Sequence, residues 1–109
     1  MESKSALECL SALAHTHRLA LFRLLVQAGP DGMAVGELAA ATGLAGATLN
    51  HHLNQLRQAG LVRDERQGRV ILCRADYARM NGLLDFLTDN CCAGSASAQA
   101  CNTRPSRPC

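Results

Sequence analysis

Aromatic side chains are nearly missing: no Trp, one Tyr and two Phe among 109 residues. Any core must therefore be aliphatic, built from Leu, Ala and Val, and a small helical chain of this kind often completes its core by dimerising. A large excess of charge is missing too. The net charge is +2 and the pI about 8.3, so overall charge does not announce a nucleic-acid partner. The N-terminus lacks a continuous apolar stretch of the secretory kind, and no apolar run approaches the length of a membrane span. A cytoplasmic location with no membrane partner is expected. In that reducing compartment the six cysteines are expected to be ligands or redox thiols rather than structural disulfides.

What is present is organised around Val35 to Val62. Leu38, Ala39 and Thr42 recur at helical spacing, and Gly43 is placed to end that run. Leu49, Leu53 and Leu56 then form a second stripe at i, i+4, i+7, with Asn50, His51, Asn54, Arg57 and Gln58 opposite. A short helix, a Gly-containing turn and a polar-faced helix make a helix-turn-helix pattern, whose second helix can enter a DNA major groove. Alone the pattern is weak, since many small helical domains contain such a pair.

Its weight comes from the next stretch. Gly60 stops the second helix, Leu61 to Arg63 reads as a short strand, Asp64 to Gly68 as a polar turn, and Arg69 to Arg74 as a returning strand. A helix-turn-helix followed by a basic hairpin is a winged helix, so the fold class is mainly α with a β-hairpin wing (α+β). From Arg57 to Arg79 there are six arginines against three acids, whereas Met1 to Gln55 is nearly balanced. Arg63, Arg66 and Arg69 are placed to reach phosphates or a minor groove. The bland alternative is a solvated hairpin whose arginines balance Asp64 and Glu65. Thr48, Asn50, His51 and Asn54 are expected nearest the bases, with His52 placed either there or packed against the turn.

Around this unit, Ser5 and Glu8 have the spacing of a capping box, with Leu7, Leu10 and Ala14 as the apolar stripe of a first helix. Thr16 is the expected N-cap of a second helix, whose Leu19, Phe22, Leu25 and Val26 supply the core. His15 and His17 invite a metal reading but lack a carboxylate at ligand spacing, so a turn role is favoured. Gly29-Pro-Asp-Gly32 is a turn. Tyr77, Met80, Leu84 and Leu87 mark a last amphipathic helix over 76–90, with Asp76 as N-cap.

Leu13-Ala-His-Thr-His-Arg-Leu19, Val35-Gly-Glu-Leu-Ala39, Asn50-His-His-Leu53 and Gln58-Ala-Gly-Leu-Val62, in that order, resemble the ArsR/SmtB family of metal- and metalloid-responsive repressors. The resemblance implies a homodimer through the first and last helices that binds operator double-stranded DNA and releases it on binding an inducer. Two departures stand out. The first helix of the helix-turn-helix carries no sulfur, so the Cys-x-Cys inducer site of many relatives is absent. Ala45-Gly-Ala47 stands where relatives place Ser/Thr and Gln, which removes an N-cap side chain and some base-reading groups and leaves backbone N–H groups open to a phosphate.

The remaining chemistry is sulfur. Cys91-Cys92, a small polar segment and Cys101 give C-C-x8-C, unlike the usual zinc arrangements. Three thiolates without a fourth ligand suit a soft trigonal acceptor, As(III) or Sb(III). Some arsenic-responsive members of the family are similar in having Asn-Cys-Cys and a later Cys, which here are Asn90, Cys91, Cys92 and Cys101. Cys109 is a possible substitute ligand, while Cys9 and Cys73 read as packing. The chain thus divides into a DNA-binding and dimerisation domain, 1–90, and a flexible Cys-containing sensor tail, 91–109. The bland alternative is a tail with incidental cysteines.

The leading expectation is a repressor induced by trivalent arsenic or antimony. The runner-up keeps DNA binding but makes the thiols a redox or persulfide sensor. A thiol enzyme is not expected, since Cys91 has no basic neighbour and no Gly-rich cradle. A dimeric interaction module that no longer binds DNA is the fourth reading, suggested by Ala45-Gly-Ala47.

Overall fold

The computed structural model describes residues 1–44 and 46–94. Its elements are α1 (Ser3–Leu13), α2 (Thr16–Ala28), β1 (Met33–Ala34), α3 (Val35–Thr42), α4 (Gly46–Gln58), β2 (Val62–Gln67), β3 (Val70–Ala75) and α5 (Tyr77–Thr88). The strands form one antiparallel sheet in the order β1-β3-β2. This is the winged helix that the hydrophobic pattern implies. No helix among the described residues is long and apolar enough to cross a membrane.

The centre of the core is Leu21, Phe22 and Leu25 of α2, closed over by Leu38, Leu49, Leu53, Leu56 and Leu61. Leu19, expected there, is exposed, and Val26 is only half-buried. In α1 the inward face is Ala6, Cys9 and Ala12, so the expected Leu7/Leu10/Ala14 stripe is the outer one, with Leu7 65% exposed. Small residues explain the inversion: they let α1 lie close to its neighbours, and the Cys9 thiol reaches the carbonyl of Ala59 at 3.5 Å. The Ser5–Glu8 box is not the start of α1 either. The helix begins at Ser3, so Ser5 already lies inside its first turn, and Glu2 takes the N-cap position with no side-chain bond.

Two turns set the position of the wing. In the Gly29–Gly32 turn, the N–H of Gly32 donates to the carbonyl of Gly29 at 3.1 Å. Gly32 has φ +73°, and a Cβ there would collide with the backbone carbonyl of Cys73, so only glycine lets this turn sit against β3. The chain leaves that turn as β1, two residues that pair Met33 with Cys73 and Ala34 with Leu72. At the end of α4, Gly60 (φ +80°) donates to the carbonyl of Arg57 at 3.0 Å and Leu61 to that of Leu56 at 3.0 Å. These two bonds form a Schellman cap, with the flanking Leu56 and Leu61 both buried in the core.

The hairpin is longer than expected. Asp64 to Gln67, read as turn, are in β2, and only Gly68 and Arg69 connect Gln67 to Val70. Gly68 has φ +63° at the first central position, the pattern of a two-residue type II′ connection. Beyond it, Asp76 caps α5 by accepting from the N–H of Arg79 at 3.0 Å. The inward residue of α5 is Leu83, which the spacing missed, while Tyr77, Met80 and Leu84 are half-buried and Leu87 is 54% exposed. The helix ends at Thr88. Tyr77 ties its start to α2, its hydroxyl donating to the carbonyl of Val26 at 3.2 Å.

Candidate nucleic-acid interface and thiol site

Helix α4 is held by one face only. Leu49, Leu53 and Leu56 are buried, which turns Thr48, Asn50, His51 and Asn54 to the surface. His52, expected either near the bases or packed against the turn, takes the packed position. It is 7% exposed, its ring centroid lies 4.5 Å from that of His15, and its Nδ1 faces an Arg18 guanidinium nitrogen at 3.5 Å. The reason is angular: His52 precedes Leu53 on the helix and shares its inward arc, so it braces α4 against the start of α2. Of the Ala45-Gly-Ala47 segment, Gly46 and Ala47 are exposed at the first turn of α4, and Ala45 lies outside the described residues.

The base of the wing is tied to this helix by Arg57. Its Nε contacts Asp64 of β2 at 2.8 Å, one terminal nitrogen donates to Asn54 Oδ1 at 2.8 Å, and the other points at Cys73 Sγ of β3, 3.7 Å away. Because Arg57 can only donate, it takes the oxygen of the Asn54 amide and leaves the NH2 group free for an acceptor on DNA. Burial pushes the Cys73 thiol up to about 11, Asp64 adds to that shift and Arg57 opposes it. Cys73 is thus a neutral packing group, as expected. The sequence showed Arg57 only as a charge on the polar face; its distance of one turn from Asn54 was the available signal for its bracing role.

Arg63, Arg66 and Arg69 do not balance Asp64 and Glu65. Asp64 is taken by Arg57, and Glu65 by Arg74 at 2.8 Å and Gln67 at 2.9 Å. Arg63 makes one loose contact with Asp76 at 3.9 Å and its side chain is 73% exposed. Arg66 and Arg69 are exposed and form no ion pair among the described residues. Two cations at a protruding tip, with the nearby acids neutralised from below, are what a phosphate contact needs.

A contrast between two sets of arginines is expected. Arg66→Ala with Arg69→Ala should weaken binding to every duplex and lower the salt slope by roughly one for each phosphate no longer neutralised. Arg57→Ala should leave that slope unchanged while costing about 1–2 kcal/mol of stability through the hydrogen bonds it removes. Affinity against salt concentration and a thermal melt distinguish the two.

The expected sulfur site lies only partly within the described residues. Cys91 and Cys92 lie just past α5 in successive turns, with the Cys91 N–H donating to the carbonyl of Thr88 at 2.9 Å. Asn90 (φ +56°) and Cys92 (φ +62°) are both left-handed. The two sulfurs are 3.6 Å apart and not bonded to each other. Cys91 is an exposed free thiol, whereas Cys92 is disulfide-bonded. Cys101 and Cys109 lie outside the described residues. No three His, Cys, Asp or Glu side chains among the described residues are placed to hold a metal ion.

A family model described as a helix-turn-helix domain matches residues 13–65. The winged helix-turn-helix DNA-binding domain of Mb0332 from Mycobacterium bovis, a homodimer described as a possible ArsR-family transcriptional regulator, is 31% identical with TM-score 0.62. That match covers 81% of this chain and 82% of the relative. The chain belongs to the ArsR family of winged-helix transcriptional regulators. The HTH-type transcriptional regulator YgaV of Escherichia coli (strain K12) is 29% identical over 90 residues, 83% of this chain and 89% of its own length. The transcriptional repressor BigR from Xylella fastidiosa is 30% identical, with TM-score 0.64 over 83% of this chain and 89% of that one. In this regulator, α3 and α4 are therefore the DNA-binding helix-turn-helix and the β2–β3 hairpin its wing.

Proposed function

We propose that this regulator is a homodimeric repressor whose affinity for operator DNA falls when trivalent arsenic or antimony binds Cys91, Cys92 and Cys101. The observation that carries the reading is the free Cys91 thiol with the Cys92 sulfur 3.6 Å away at the end of α5, a pair that supplies two thiolates once the Cys92 disulfide is reduced. Two thiolates on one ion with bonds of about 2.3 Å stand about 3.8 Å apart in tetrahedral geometry and closer in a trigonal pyramid. Dimerisation is supported by the homodimeric relative from Mycobacterium bovis and by the outward leucines of α1 and α5. Leu7, Leu10 and Leu87 are exposed, and Leu13, Leu19, Phe22, Val26, Met80 and Leu84 line an apolar groove between α2 and α5. Repression, rather than activation, is supported by the likeness to BigR. The segment 91–109 is then the sensing tail, and the domain ahead of it carries DNA binding and dimerisation.

The disulfide at Cys92 favours a second reading, in which the thiols report oxidation rather than metalloid. Equilibrium dialysis of arsenite against fully reduced protein separates the two. The metalloid reading predicts roughly one arsenite per chain, as a three-thiolate site requires, and none after oxidation. If reduced protein takes up no arsenite while an oxidant alone releases DNA, the redox reading replaces it.

A further inference from the structure

The fold fixes which way the Asn54 amide faces. Ala47, His51 and Asn54 recur at i, i+4 and i+7 on the side of α4 opposite its buried leucines, and all three are exposed. Asn54 therefore stands on the line of α4 turned furthest from the core. One turn on, Arg57 donates to its Oδ1 at 2.8 Å. Arg57 is itself held from the wing. Asp64 of β2 takes its Nε at 2.8 Å, and its other terminal nitrogen lies 3.7 Å from Cys73 Sγ of β3. The Arg57 side chain is 24% exposed, so solvent does little to loosen this arrangement. A guanidinium has no acceptor, so the amide oxygen faces it and the NH2 group is left facing outward. Asn50, a turn earlier and also exposed, makes no side-chain hydrogen bond among the described residues, and its amide is free to turn.

That difference decides what each amide can read. Asparagine recognises adenine with both ends of its amide, the oxygen accepting from N6 and the NH2 donating to N7. With Arg57 on the Asn54 oxygen, an adenine amino group would meet the guanidinium donor against donor, beside a full positive charge. Guanine presents the opposite edge. Its N7 and O6 are adjacent acceptors in the major groove. Both suit an outward NH2, and both are attracted by a cation close behind it. Thymine offers a single acceptor beside a methyl group, and cytosine offers a donor.

We propose that Asn54 reads a guanine in each operator half-site, and that Arg57 is the positioning residue that sets this preference by holding the Asn54 oxygen. The inference rests on the reading of α4 as the DNA-facing helix. It gives the wing a second task. Asp64 anchors Arg57, so β2 helps to choose a base that it does not itself contact.

The test is selection of bound sequences from a duplex library randomised over two half-sites and the turn between them, with full-length reduced protein. Wild type should select guanine over adenine by about tenfold at one position in each half-site. Asn54→Ala, an exposed substitution, should lose the preference at that position alone. Arg57→Met keeps an apolar stem but offers no donor, so it releases Asn54 to pair with adenine as well. Guanine and adenine should then be bound within about twofold of each other there, with the other positions unchanged. A merely structural role for Arg57 would weaken every sequence together, so a thermal melt accompanies each variant.

Guanine preference that survives in folded Arg57→Met but not in Asn54→Ala would overturn the positioning role. Adenine at the Asn54-dependent position of wild type would overturn it as well. If Arg57→Met does not fold, Asn54→Ala decides alone, because the base it ceases to select must be guanine. Equal weakening of all sequences by Asn54→Ala would put Asn54 on the backbone and overturn the inference while leaving α4 as the DNA-facing helix. No enrichment of any sequence by wild type would overturn the inference together with the reading of α4 on which it rests.

Discussion

Leu7→Glu combined with Leu87→Glu is expected to leave a folded monomer whose operator affinity is about a hundredfold or more below wild type. Leu7 is 65% and Leu87 54% exposed, so neither substitution disturbs the core of the chain that carries it. Surface changes of this kind usually shift stability by only about 0.5 kcal/mol. In a dimer, the same leucines and Leu10 lose their water, at roughly 1.5–3 kcal/mol for each fully buried side chain. Four introduced carboxylates across a two-fold interface remove that gain and add repulsion. Two linked half-sites bind more tightly than one by about 10²–10⁴, which sets the size of the loss on DNA. Sedimentation velocity and anisotropy on operator DNA check it. A dimer that survives both glutamates places the interface elsewhere.

The second large effect concerns induction. Cys91→Ser and Cys92→Ser should each retain operator binding yet lose release by arsenite, a change of about a hundredfold at saturating ligand. Such a factor needs only about 2.7 kcal/mol of differential binding. A route exists for it. Arg79 of α5 donates from Nε to the carbonyl of Ala59 at 3.0 Å, and the Cys9 thiol of α1 points at the same oxygen. Ala59 directly follows α4, so both proposed dimer helices converge on the end of the DNA-facing one. A small movement at the end of α5 thereby reaches the spacing of the two half-site readers. Controls at Cys9 and Cys73 are made with serine, which keeps a donor for the Ala59 carbonyl at position 9 and an acceptor for the Arg57 guanidinium at position 73. They should respond to arsenite as wild type does. Release that persists in both Cys91→Ser and Cys92→Ser would remove this pair from the sensor.

How far the sequence could be read depended on what each pattern competes with. The Leu49/Leu53/Leu56 stripe and the glycines at 43 and 60 were legible because one face of α4 is buried in its own chain and both helix ends need a left-handed residue. In α1 the larger apolar side chains point outward and the smaller ones inward, and Leu19 of α2 points outward as well. Periodicity reports that a face is apolar, not whether its partner is the same chain or a second one. The Asp64–Gln67 run looks like a turn because it is charged, yet a hairpin needs only its backbone bonds, and Arg57 and Arg74 neutralise its acids. Strand β1 is too short to show any period. His52 and His51 are adjacent and identical in type, and only their angle about the helix separates a buried brace from an exposed contact. The contact between His15 and His52 was invisible because the two are far apart in the chain.

The most direct test of metalloid-controlled repression is a gel-shift with reduced protein on DNA from its own promoter, with and without arsenite. The expected result is a specific complex, stronger than on random duplex, that weakens about a hundredfold when arsenite is saturating. A specific complex that arsenite leaves unchanged would contradict metalloid sensing, and no specific complex at all would contradict the repressor itself.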